Sequence, residues 1–151
     1  MLEVSFNSPQ CGWMSIGFDD GVSEFHTTTA HAPYESALPE LFRILTSLTD
    51  ANSAENEYLL KWNRDPEELD FEFSRQGEKL VMRIYQYPTD ERDQGERVLV
   101  FSHEGDLRSV CTAFAATFEQ LYADRETDEF DFNWRQPFPF KEYKEFRARM
   151  S

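Results

Sequence analysis

The hydrophobic period of this chain changes three times along its length, and that alternation constrains the fold more than any other feature. Stretches in which every second residue is apolar give way to stretches with apolar residues three and four apart, the difference between a strand and a helix. Leu2 to Phe6 alternates, Gly12 to Phe18 sets Met14, Ile16 and Phe18 on one face, and Val22 to Thr29 is rich in β-formers. From Ser36 to Leu48 the period turns helical, with Leu38, Leu41, Phe42, Leu45 and Leu48 on one stripe and Ser36 placed to cap it. Four alternating segments follow: Tyr58, Leu60 and Trp62; Leu69, Phe71 and Phe73; Leu80, Met82 and Ile84; Val98 and Val100. The strongest helical stripe opens at Asp106 and carries Leu107, Val110, Cys111, Phe114, Phe118, Leu121 and Tyr122. A short helix with Phe140, Tyr143, Phe146 and Met150 ends the chain. Asp19-Asp20-Gly21 and Gln76-Gly77 read as tight turns, since glycine accepts positive φ.

The resulting order, βββ-α-ββββ-α-α, predicts one α+β domain over residues 1–151. The expected architecture is an antiparallel sheet of about six or seven strands with helices packed mainly on one face. Fourteen Phe among 151 residues supply a core that needs no metal and no disulfide framework. Cys11 and Cys111 are expected as reduced, partly buried thiols, with a single bridge between them left open. Leu59, Val81, Tyr85, Leu99 and Phe101 are apolar but fall on the face opposite the expected core. Either the Phe130 to Phe140 segment or the last helix covers that face, or it is a homodimer or partner surface.

Charge narrows the partners. The chain carries 29 acidic and 15 basic residues, a formal charge of −14, and residues 1–60 hold nine carboxylates against a single cation, Arg43. That field repels nucleic-acid phosphates and anionic lipids and steers a basic protein inward, so the expected partner is neither nucleic acid nor membrane. With no secretion signal and no apolar run of about 20 residues, a cytoplasmic location is expected.

The chemistry-bearing residues do not converge in sequence. His26 and His31 differ by five within an expected strand and point apart, so no metal site is predicted. In Ser102-His103-Glu104, neighbours on a strand face opposite ways, which reads as a strand end leading to a helix cap rather than a triad. The carboxylate pairs Asp19-Asp20, Glu67-Glu68 and Asp128-Glu129 read as solvated turns or loops. The six glycines fall at no phosphate-loop spacing, and no cofactor or catalytic residue is assigned. What remains are carboxylates set among aromatic rings, the residue types that dock a basic partner. Asp19, Asp20 and Glu24, with Asp124, Glu126, Asp128, Glu129, Asp131 and Trp134, form the expected docking residues.

In size, acidity and layout the chain resembles the small cytoplasmic immunity proteins that accompany bacterial toxins, through its acidic first 60 residues and the Asp124 to Asp131 stretch. It also resembles uncharacterised bacterial domains of this size. The first resemblance implies a non-enzymatic inhibitor that covers a basic toxin or effector. The alternatives carried forward are a homodimeric assembly protein and an enzyme that uses carboxylates with His103.

Overall fold

The computed structural model describes residues 1–151 as an α+β fold with two antiparallel sheets. The first is three-stranded, β1 (Glu3–Phe6), β2 (Trp13–Asp19) and β3 (Glu24–Ala30), in chain order. The second is four-stranded, β4 (Glu57–Asn63), β5 (Glu68–Gln76), β6 (Lys79–Tyr87) and β7 (Val98–Asp106), also in chain order. Between the sheets runs α1 (Ala37–Leu48); after them come α2 (Leu107–Asp124), the short α3 (Phe130–Trp134) and α4 (Phe140–Met150). The expected order of strands and helices is present, but the strands form two sheets and not one. Successive strands joined by tight turns pair with each other, while α1 and the polar segment after it separate β3 from β4.

The two sheets meet through their apolar faces. Phe18 of β2 lies 6.2 Å from Phe71 of β5 and 5.7 Å from Phe101 of β7, centroid to centroid. The turn before β3 reaches β7 through Asp20 and His103, and the end of β3 reaches β4 where the Trp62 Nε1–H donates to the Ala30 carbonyl at 3.0 Å. The small sheet therefore crosses the large one between its two outer strands. The stripe of α2 closes the wedge: Phe114 packs on Phe6, Phe18 and Phe73, and Phe118 meets Phe42 of α1 at 4.4 Å. Asp106 caps α2 by accepting from the Ser109 N–H at 3.0 Å, whereas Ser36, before α1, makes no side-chain cap bond.

The turn at Gly77 (φ +65°) joins β5 and β6 with two residues, and Gly21 (φ +85°) sits in the β2–β3 turn, both as the sequence reading requires. The last strand departs from it. Ile84 pairs with Phe101 and Tyr85 with Leu99, so Val100 is an extra residue. This bulge reverses the alternation. Phe101, expected on the second face, is 2% exposed in the core, while Val98, expected inside, is exposed.

The second face is also covered differently. Phe130 and Phe138 pack on each other and toward Phe42 and Tyr122 on the helical side, away from the outer face of the large sheet. Instead the segment 88–97 folds over that face: Arg97 lies 3.8 Å from the Tyr85 ring centroid and pairs with Glu72 at 3.2 Å. Val81 is buried, and Leu59 and Leu99 are each 48% exposed. Both cysteines are free; Cys11 is exposed, not partly buried, and burial pushes the Cys111 thiol up to about 12. No helix is long and apolar enough to cross a membrane.

Candidate partner-binding groove

The backbone register of the small sheet brings three carboxylates into one row. Glu3 is opposite Asp19, and Asp19 is opposite Glu24, so the side chains stand together on the outer face across three strands. Of the three, only Glu24 has a basic side chain within reach, the His26 ring at 3.3 Å. In the next row Ser5, Gly17 and His26 align. The His26 ring occupies the space above Gly17, where a Cβ would come within 2.5 Å of Nδ1 and 2.9 Å of Ser5 Oγ.

This face opens into a groove of about 670 Å³, which runs between β1 and α2. Its hydrophobic lining comes from Met1, Leu2, Val4 and Phe18 on the sheet side, of which Met1 is exposed and Leu2 and Phe18 are buried beneath the surface, and from Ala113 and Ala116 on the helix. Glu3, Asp19 and Glu24 line its acidic side. Arg108 also lines it, but its guanidinium donates to the Met150 carbonyl at 3.2 Å and so serves the end of α4. α2 flanks β1 closely enough for the Phe6 N–H to donate to Thr117 Oγ1 at 2.7 Å.

Asp20 does not join this row. It accepts from the Ser23 and Val22 N–H groups at 2.8 and 2.9 Å and faces His103 Nδ1 at 2.9 Å. The Ser23 N–H, then His103, then the Val22 N–H hold its carboxyl well below the usual carboxylate range. His103 thus faces Asp20, while Glu104 pairs with Lys79 on the other side of β7, so Ser102, His103 and Glu104 do not converge. His26 and His31 are likewise apart: His31 turns to the Gly12 carbonyl at 3.1 Å and to Trp134.

The second acidic stretch lies at the opposite end of the small sheet. Asp128 Oδ2 accepts from the Ser8 hydroxyl at 2.7 Å, beside the loop that enters β2, while Asp19 ends β2. Seven residues of strand separate these ends by about 20 Å. Several of its carboxylates already have structural tasks: Asp124 accepts from Gln120 and Asp131 from the Phe138 N–H, each at 2.8 Å. Glu126 and Glu129 are exposed. Trp134 turns inward, 2% exposed and edge-on to Trp62.

A buried charged cluster lies on the outer face of the large sheet, where local pattern predicts only a solvated turn. Glu68, expected in a solvated turn, is 2% exposed, and Asp70 is buried beside it on the outer face of β5. Arg92, from the loop between β6 and β7, reaches over the sheet and pairs with both. It also donates to the Trp62 and Leu69 carbonyls and lies over the Tyr34 and Tyr87 rings. Tyr34 donates to Glu68 at 2.5 Å and Tyr87 to Asp70 at 2.7 Å; burial, and then these carboxylates, raise both phenols above their ordinary range. Burial opposes the charge on Arg92, but hydrogen bonds to Asp70, Tyr34 and Glu68 outweigh it and hold the guanidinium protonated. The alternation Leu69, Phe71, Phe73 placed Glu68 and Asp70 on the outer face; no local pattern shows that a loop 20 or more residues later will bury them.

Compared with family models, with curated proteins and with solved structures, the chain matches none.

Proposed function

We propose that this chain is a non-enzymatic protein-binding module, of the kind the immunity proteins represent, and that it docks a basic partner at the groove between β1 and α2. The observation that carries this reading is the row Glu3, Asp19 and Glu24 beside an apolar channel of about 670 Å³. Like charges directly opposite each other on neighbouring strands destabilise a sheet. A partner's lysine or arginine set against the row relieves that repulsion, and the apolar lining supplies the desolvated centre that binding interfaces need.

The acidic stretch 124–131 is too far away to join the same contact and much of it is hydrogen-bonded within the chain. On this reading it contributes to the long-range field and to on-rate, not to the docked interface.

A photo-crosslinker at Ser5 in the full chain, irradiated in the native lysate, tests the reading. The expected product is a basic protein whose crosslink falls at least about tenfold, 1.4 kcal/mol, with Glu3→Lys and Glu24→Lys together. Asp128→Lys with Glu129→Lys should leave the bound amount at saturation unchanged. Crosslinks indifferent to the first pair, or an acidic product, would remove the groove as the docking site.

A further inference from the structure

We infer that the partner docks on β1 as an added antiparallel strand, an extended segment with basic and apolar residues in alternation. This deepens the binding-module reading and rests on it.

β1 is an outer strand of its sheet, and its pairing phase is fixed by the Asn7 N–H, which donates to the Ser15 carbonyl at 3.0 Å. Residues 7, 5 and 3 therefore turn their main-chain groups toward β2, while Phe6, Val4 and Leu2 turn theirs away from it. At Phe6 the chain supplies the missing partner: Thr117 accepts from its N–H at 2.7 Å and donates to its carbonyl at 3.5 Å. Val4 and Leu2 line the groove, and the outward N–H and C=O groups of Val4 are the open end of the ladder. Outer strands are commonly blunted by shortness, a charged side chain, proline, a bulge or a covering helix. β1 has no proline and no bulge; it is four residues long, its one charge, Glu3, matches a basic partner, and α2 bonds to it at Phe6.

The two faces of β1 fix what the added strand must carry. Residues placed opposite Leu2 and Val4 fall on the side of Ala113 and Ala116, which calls for apolar side chains. Residues between them fall on the outer face, extending the row Glu3, Asp19, Glu24 by one position, which calls for lysine or arginine. Thr117 at Phe6 ends the free edge, so the contact is one short strand anchored by its charges.

The probe is an acetylated, amidated Val-Lys-Val-Lys-Val-Lys peptide added to the isotopically labelled full chain, read by amide shifts and amide exchange. Exchange of the Val4 N–H is expected to slow at least about tenfold at saturation. In antiparallel addition the peptide's valine amides point at β1 and its lysine amides point away. N-methylation of the valines is therefore expected to weaken binding at least about tenfold, and N-methylation of the lysines to leave it unchanged. If both methylated peptides bind like the parent while Glu3→Lys still weakens it, strand addition is wrong and the acidic groove survives. If Val-Glu-Val-Glu-Val-Glu binds as well, or Glu3→Lys has no effect, the basic-partner reading falls and takes this one with it. No response at Leu2 to Phe6 at saturating peptide overturns strand addition directly.

Discussion

Arg92 shows how one side chain fastens a loop to a sheet. Its guanidinium satisfies Glu68 and Asp70, two carboxylates that β5 would otherwise bury without a cation, and it sits between two tyrosine rings. Removing one member of a buried ion pair leaves the others desolvated and unpaired, a cost of about 3–5 kcal/mol. Arg92→Ala should lower stability by that amount in urea denaturation. Arg97, 27% exposed over Tyr85 and Glu72, is the built-in comparison, and its replacement by alanine should cost about 1 kcal/mol or less. Equal losses at the two positions would mean that the buried cluster is not what holds the 88–97 loop.

At the scale of elements, the contact between β1 and α2 decides where the small sheet stops. A strand of four residues has few ladder bonds to hold it, and Thr117 adds a bond from the helix to its last residue. Thr117→Val keeps the shape and removes the acceptor, leaving the Phe6 N–H unsatisfied at a cost of about 1–3 kcal/mol. The expected result is a lower denaturation midpoint with faster amide exchange concentrated in β1. A loss of protection spread evenly over both sheets would show instead that β1 has no stability of its own to lose. The bulge at Val100 acts on an outer strand of the large sheet: by one extra residue it sends Phe101 inward to Phe18 and leaves Leu99 outside. Periodicity could not reveal it, because three of the residues from Val98 to Phe101 are branched aliphatics that suit either face.

For the whole molecule, the outer face of the large sheet bears on self-association. Leu59 and Leu99 stay half-exposed, but Val81 is buried, Phe101 is in the core and Arg97 covers Tyr85. Lys61, Arg83 and Glu72 interrupt what is left, well short of the continuous surface behind a standard interface of about 1,200–2,000 Å². The chain is accordingly expected to sediment as a monomer at high concentration and moderate salt. A dimer abolished by Leu59→Asp or Leu99→Asp would restore self-association as the role of this face.

Local pattern determined much of this protein. The helical stripe of α2 with its Asp106 cap, the glycine turns at Gly21 and Gly77, and the inward set Leu69, Phe71 and Phe73 are present as the residues dictate, because each depends on neighbours a few positions away. The acidity of the first 60 residues was likewise plain from the sequence, though not which carboxylates stand together. Tertiary structure alone decided that seven strands divide into two crossed sheets, that Glu3 aligns with Asp19 and Glu24 beside a groove, and that Arg92 buries Glu68 and Asp70. The reason is one of range: a strand's alternation states which way its own side chains point, whereas register, bulges and loop closure are set by contacts between segments distant in the chain.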